Sequence, residues 1–217
     1  MSSSGSNFVG YLAPISTPPL EGDALEDTIH DLIAGVSGLD GTLVRPAWQI
    51  EPANIPTAGT AWAAFRIARR EIALFPYVGH DGAYTYPDPQ QDPPLKGADQ
   101  LQQQEQLEVL VSFYDLGAGA TNGVGGQADA YCALFRDGLY IAQNREALMA
   151  QGIVLAYTGD AIAVPSLLKE RWLYRVDLSL TLRRAIERTY PVYNIESAQG
   201  TITKDNPTVT VGFEVND

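Results

Sequence analysis

From Glu170 to Arg184 the chain reads ERWLYRVDLSLTLRR, and its side chains alternate in character over more than a dozen residues. Trp172, Tyr174, Val176, Leu178, Leu180 and Leu182 fall on one side of a period of two. Arg171, Arg175, Asp177, Ser179, Thr181 and Arg183 fall on the other, with Leu173 the one apolar intruder. Wound as a helix, those apolar positions would spread around the cylinder instead of forming a stripe. The segment therefore predicts a long strand with one wet face and one dry face. At about 3.3 Å per residue it would span roughly 40 Å, longer than most strands, so it runs past a compact core or bends within it.

A strand of that kind needs a core to pack on, and 217 residues are enough to build one without disulfides. The single cysteine, Cys132, excludes an internal disulfide framework. With His30 and His80 the only histidines, a dedicated metal site is not expected. No run of about 18 apolar residues marks a membrane helix, and MSSSGSNF lacks the basic and apolar regions of a signal peptide. The reading is a soluble protein made in a cytoplasm. A net charge of −12, from 26 acidic and 14 basic residues, opposes wrapping of nucleic acid, which needs a basic footprint.

The remaining segments sort by punctuation. Residues 1–22 are rich in Ser, Gly and Pro, which reads as a disordered terminus, yet they keep Phe8, Tyr11 and Ile15, which reads as an arm that orders against a neighbour. Asp23 opens a helix through Ala34, with Glu26 three residues on and Leu25, Ile29, Leu32 and Ile33 as its stripe; Gly35 or Gly38 ends it, and His30 faces solvent. LVRPAWQI from Leu43 is extended, and Pro46 assigns it to an edge or a bulge, with Thr60 to Ile72 as its hairpin partner. Residues 75–104, dense in Pro, Gly, Asp and Gln, form one long loop excursion carrying Tyr77, Tyr84, Tyr86 and Leu95.

Glu105 to Tyr114 is a second firm strand. Gln127 to Ile141 reads as a helix with Ala130, Leu134, Gly138 and Ile141 inward, and Asn144 N-caps a second helix that stops at Gly152. Ile153 to Thr158 and Ala161 to Val164 are strands either side of a turn at Thr158-Gly159-Asp160. Tyr190-Pro191 forces extension, and TVTVGFEV alternates as an exposed or partner-dependent strand. The fold class is α+β: a mixed or antiparallel sheet packed by two to three helices, with the arm at 1–22, one domain at 23–200 and an extension at 201–217.

Catalytic signals are weak. AGATNGVGG lacks the GK[ST] ending of a phosphate loop. His80 beside Asp81 reads as an exposed turn before it reads as a general base. Asp23, Glu26, Asp27 and Asp31 form a solvated helix face without the spacing of a calcium loop. No catalytic, cofactor-binding or metal-binding residues are assigned, and no enzymatic activity is expected.

Four blocks carry a resemblance: LVRPAWQIEPANIPTAGTAWAAFRI (Leu43 to Ile67), EQLEVLVSFYD (Glu105 to Asp115), DGLYIAQNREAL (Asp137 to Leu148) and the long block from Leu167 to Gly200. In this order they resemble the neck or tail terminator proteins of tailed bacteriophages. The resemblance implies a structural virion protein, a homo-oligomeric ring expected to be a hexamer, assembled in the host cytoplasm. Such a ring caps the head-proximal end of the tail, touches tail tube and sheath proteins on one side and connector or collar proteins on the other, and leaves a channel for DNA. The apolar residues of the arm and loop, Phe8, Tyr11, Ile15, Tyr77, Tyr84, Tyr86 and Leu95, are then the candidate interface. Two rival readings stay open: another neck component such as a collar, gateway or adaptor protein, and a small-molecule-binding or hydrolytic domain with its site in residues 75–104.

Overall fold

A computed structural model describes residues 14, 20–48, 60–72, 76–85, 96–115, 126–164, 166–168, 171–192, 197–205 and 208–216. In chain order these form α1 (Asp23–Ser37), a 3₁₀ turn (Gly41–Leu43), β1 (Val44–Pro46), β2 (Ala61–Ile72), β3 (Tyr77–Thr85) and β4 (Lys96–Asp115). Then follow α2 (Gly126–Gly138), α3 (Ala142–Ala150), β5 (Ile153–Ala163), β6 (Ser166–Leu168), β7 (Arg171–Pro191), β8 (Ser197–Asp205) and β9 (Thr208–Asn216). Residues 18–76 and 103–186 gather into one compact unit, and residues 77–102 and 187–217 into another.

The first unit is built on a mixed sheet in the order β1-β2-β4-β7-β5. β2 runs antiparallel to β4, β5 antiparallel to β7, and β1 lies parallel to β2 at its edge. Ser112 meets Asp177, Gln106 meets Arg183 and Glu105 meets Arg184. Numbers rise along β4 as they fall along β7, so that pair is antiparallel too.

The alternation in β7 is realised side chain by side chain. Val176, Leu178, Leu180 and Leu182 are buried, while Ser179 among them and Arg183 just after them are exposed. They join Leu107, Val109, Val111 and Phe113 of β4, Ala63 and Phe65 of β2, and the stripes of α1 and α2 in one hydrophobic core. Helices thus cover one face of the sheet. Leu173, the intruder, is buried although its parity puts it with the other face.

α1 forms where its stripe predicts, with Leu25, Ile29 and Ile33 buried. Gly38, in the left-handed region at φ 76°, stops it by donating its N–H to the Ala34 carbonyl. Its start differs from expectation. Gly22, at φ 56°, is the cap, and Asp23 and Glu26 make no capping hydrogen bond; as first-turn acids they act on the helix dipole. His30 is not simply solvent-facing: its Nε2 lies 2.9 Å from the Gly41 carbonyl and its Nδ1 2.9 Å from Asp31 Oδ1.

Four further expectations are corrected. The inward face of α2 is Ala128, Cys132 and Phe135, leaving Leu134 and Ile141 exposed. Both sets recur at helical spacing, and the aromatic bulk of Phe135, packed on Phe113 at 5.7 Å between ring centroids, decides between them. α3 begins at Ala142 with Ile141 as its cap, because Asn144 turns its amide back to the Gly138 carbonyl at 2.8 Å. β1 pairs parallel to β2, so these two strands are no hairpin. Gly159 is not in a turn: β5 runs through it, with register shifts at 155/157 and 158/161, because a Cβ at Gly159 would sit 2.1 Å from Ser179 Oγ and only glycine allows the close crossing.

The second unit is all strand among the described residues. β3 pairs antiparallel with residues 96–102 of β4, and β8 with β9 from Ser197↔Asn216 to Asp205↔Thr208. The expected excursion at 75–104 therefore contains strand at both ends. Residues 77–85 and 96–104 escaped the pattern because glycines, glutamines and charges there follow backbone pairing and not apolar alternation. The C-terminal strand finds its partner inside the chain, across the expected boundary at 200.

Candidate interaction surfaces

The face of the sheet that no described helix covers carries an organised row of side chains. Trp62 of β2 stands directly opposite Tyr114 of β4, and the two rings stack at 4.1 Å and 9°. The Arg45 guanidinium of β1 lies 5.8 Å from the Trp62 ring centroid. One register step along, Ser112 donates to Asp177 Oδ1 at 2.7 Å, and Arg175 holds both oxygens of the same carboxylate at 3.0 Å. A half-buried acid with three such contacts is fixed in place.

At the end of the sheet the same face turns apolar. Val154, Tyr157 and Ile162 of β5 pair with Arg183, Thr181 and Asp177, and so share the uncovered face. Tyr157 is 63% and Ile162 59% exposed. Among the described residues no strand lies beyond β5 in the sheet order. On the helical side Leu134, Tyr140, Ile141 and Met149 are also exposed.

Two charged contacts anchor the covered side. Arg184 and Glu105 form an ion pair at 2.6 Å, with side chains 2% and 6% exposed, and Arg184 also donates to the Leu20 carbonyl just ahead of α1. Tyr174 donates its hydroxyl to Asp129 at 2.9 Å, tying β7 to the first turn of α2; that bond raises the Tyr174 pKa, with burial adding to it. The ion pair had a signal in the sequence: Glu105 is in phase with Leu107 and Val109, and Arg184 with Leu182 and Leu180. Opposite charges on the dry faces of two strands predict a buried pair.

Little of this is reactive. His80 pairs across strands with Asp99 at 2.8 Å, and both are well exposed. Burial pushes the Cys132 thiol up to about 11, far from a nucleophile's range. Among the described residues no three of His, Cys, Asp and Glu cluster to hold a metal, and no helix is long and apolar enough to cross a membrane. A cleft of about 370 Å³ between α1 and α3 is lined by Thr28, Asp31, Gly35, Asn144 and Ala147 among others.

Of the seven residues expected at an interface, Tyr77 is placed on β3 and is 67% exposed. Tyr84 lies on β3 with its side chain outside the described set; Phe8, Tyr11, Ile15, Tyr86 and Leu95 fall outside the described residues. The row Arg45-Trp62-Tyr114 and the apolar end of β5 are surfaces that sequence reasoning did not single out.

A family profile described as phage neck terminator protein matches residues 23–206. The chain belongs to the phage neck terminator protein family. Neck terminators are structural proteins of the phage neck, so this one is a virion component that associates with other neck and tail proteins. The match spans both ends of the mixed sheet, from α1 to β8, and stops short of β9. Comparison with curated proteins gives no match.

Proposed function

We propose that this neck terminator assembles as a ring of identical subunits, a hexamer, on the head-proximal end of the tail and joins the tail to the head connector. The family match over residues 23–206 carries the reading. Three features support it. A chain with 26 acids against 14 bases suits the wall of a channel through which DNA passes without sticking. A sheet that ends in an exposed apolar strand suits assembly with like chains. The most reactive residue types present are spent on structure, with Cys132 buried and His80 in a cross-strand pair, which suits a part without catalysis.

In this reading the tail tube and sheath lie on one side of the ring and connector or collar proteins on the other, and the subunits are made and assembled in the host cytoplasm. Phe8, Tyr11, Ile15, Tyr77, Tyr84, Tyr86 and Leu95 contact neighbouring subunits or the adjoining rings, since Pro-rich surroundings give them no core of their own. Electron microscopy of the intact particle, with this protein located by a fused tag, tests the proposal. Density for a closed ring of this chain between tail tube and connector is the expected result. Label found only on the capsid or at the distal tail tip would overturn it.

A further inference from the structure

We propose that β5 of one subunit accepts the outer edge of β2, residues 67–72, from a second copy of this chain, so that the two unlike ends of the mixed sheet join head to tail. The inference rests on the ring reading above and names the surfaces that would close such a ring.

Among the described residues both sheet ends are open. β1 pairs only with Ala63, Ala64 and Phe65 of β2, with Ala47 adding one bond to the Phe65 carbonyl. Beyond Ile67, among the described residues, no strand lies on the outer side of β2, although its inner side stays paired with β4 to Ile72. At the other end β5 runs for eleven residues, IVLAYTGDAIA. Proteins blunt such edges with Lys, Pro or inward charges, and β5 has no Lys, Arg or Pro. Its two register shifts are the one protective device present. They divide the edge into short runs, so an added strand needs side-chain contact as well as backbone pairing. Val154, Tyr157 and Ile162 offer that contact on a single face.

Charge selects the partner. β5 carries one charged residue, the exposed Asp160. The open part of β2 and its approach carry Arg66, Arg69 and Arg70, all exposed, against two acids, Glu71 and Glu108 of β4, which lie 3.4 and 3.6 Å from Arg69. In a chain so rich in acid, three arginines at one sheet end are a local inversion of sign. Joining β5 to β5 would set acid against acid, and β2 to β2 would set arginine against arginine. The unlike join matches sign and lays guanidinium groups beside Tyr157. Arg69 shares the uncovered face with Tyr157, since it pairs with Glu108 on β4 and Tyr157 pairs with Thr181 on β7. A join between unlike surfaces is heterologous, the kind that closes into rings.

The test mixes two full-length variants, Tyr157→Cys and Arg69→Cys, under mild oxidation. Both positions are exposed, so both variants should keep the thermal unfolding of the parent, and Cys132 is buried and stays silent. Strands paired side by side bring Cα atoms within disulfide range, about 4.4–6.8 Å. A cross-linked heterodimer of the two variants is expected, together with at least a tenfold weakening of self-association in Tyr157→Asp/Ile162→Asp. A wild-type protein that sediments as a closed oligomer while the mixture gives no heterodimer overturns this join and leaves the ring reading standing. Tyr157→Cys cross-linking to itself overturns it in favour of a symmetric β5 contact. A wild-type chain that stays monomeric at its highest soluble concentration overturns both.

Discussion

One strand, β7, has two faces that do different work. Its even residues Val176, Leu178, Leu180 and Leu182 disappear into the core beneath α1 and α2. Its odd residues Arg175, Asp177, Thr181 and Arg183 lie on a face where specific pairs replace bulk burial: Arg175 and Ser112 on Asp177, Arg183 on Gln106. The covered face is non-directional and tolerates little loss of volume. The uncovered face is directional, and single changes at its exposed positions cost little stability. The contrast teaches that bulk burial and specific pairing are written on alternate residues of the same segment.

The largest effect should come from the buried ion pair on the covered face. Glu105→Ala leaves Arg184 buried without its carboxylate, and about 3 to 5 kcal/mol should be lost in chemical denaturation. Glu105→Leu combined with Arg184→Met should recover most of that loss, because a packed apolar pair needs no compensation. If the double change were as damaging as the single one, the ion pair would not be the reason for the cost.

Next in size, Leu178→Ala should cost about 2 to 5 kcal/mol through the cavity it leaves, against less than about 1 kcal/mol for Thr181→Ala on the other face. Equal shifts in thermal unfolding would erase the distinction between the faces. Gly159→Ala should fall between them, at about 1 to 3 kcal/mol from overpacking against Ser179. Ser179→Gly should relieve it, since the hydroxyl is the atom in the way.

The smallest effect is a pH dependence beside α1. Burial pulls the His30 pKa down, but the hydrogen bonds to Asp31 and to the Gly41 carbonyl, with the charges of Asp31 and Asp27, outweigh it and leave it above its ordinary 6.5. Both contacts are acceptors, so the doubly protonated ring satisfies both. A folded value raised above the unfolded one gives stability that is complete below 6.5 and lost as pH rises through the raised value. Thermal unfolding of His30→Gln should show a flatter profile across that window than the parent; identical profiles would remove His30 from the account.

The sequence was legible where residue chemistry and period agree. β7, the core of β4, β2 and the stripe of α1 stand where alternation or helical spacing put them. It was illegible where two patterns coexist or where backbone pairing alone decides. α2 offers Ala130 and Leu134 at one spacing and Ala128, Cys132 and Phe135 at another, and only packing on Phe113 selects. β3 and the first part of β4 are polar on both sides, so a passage of Pro, Gly and Gln concealed two strands. At the candidate surfaces, the aromatic stack of Trp62 on Tyr114 needed the β2–β4 register before it existed as a pair. Val154, Tyr157 and Ile162 share a face because of two register shifts that no spacing rule foretells.

Backbone hydrogen exchange, residue by residue, on unassembled and assembled protein asks most directly whether the sheet is finished at its centre and unfinished at β5. Amides of Leu107 to Phe113 should be protected in both states. On β5, amides facing away from β7 should exchange freely in the unassembled chain and become protected on assembly. Outward β5 amides already protected in the lone subunit, or still exchanging freely in the assembly, would contradict the account.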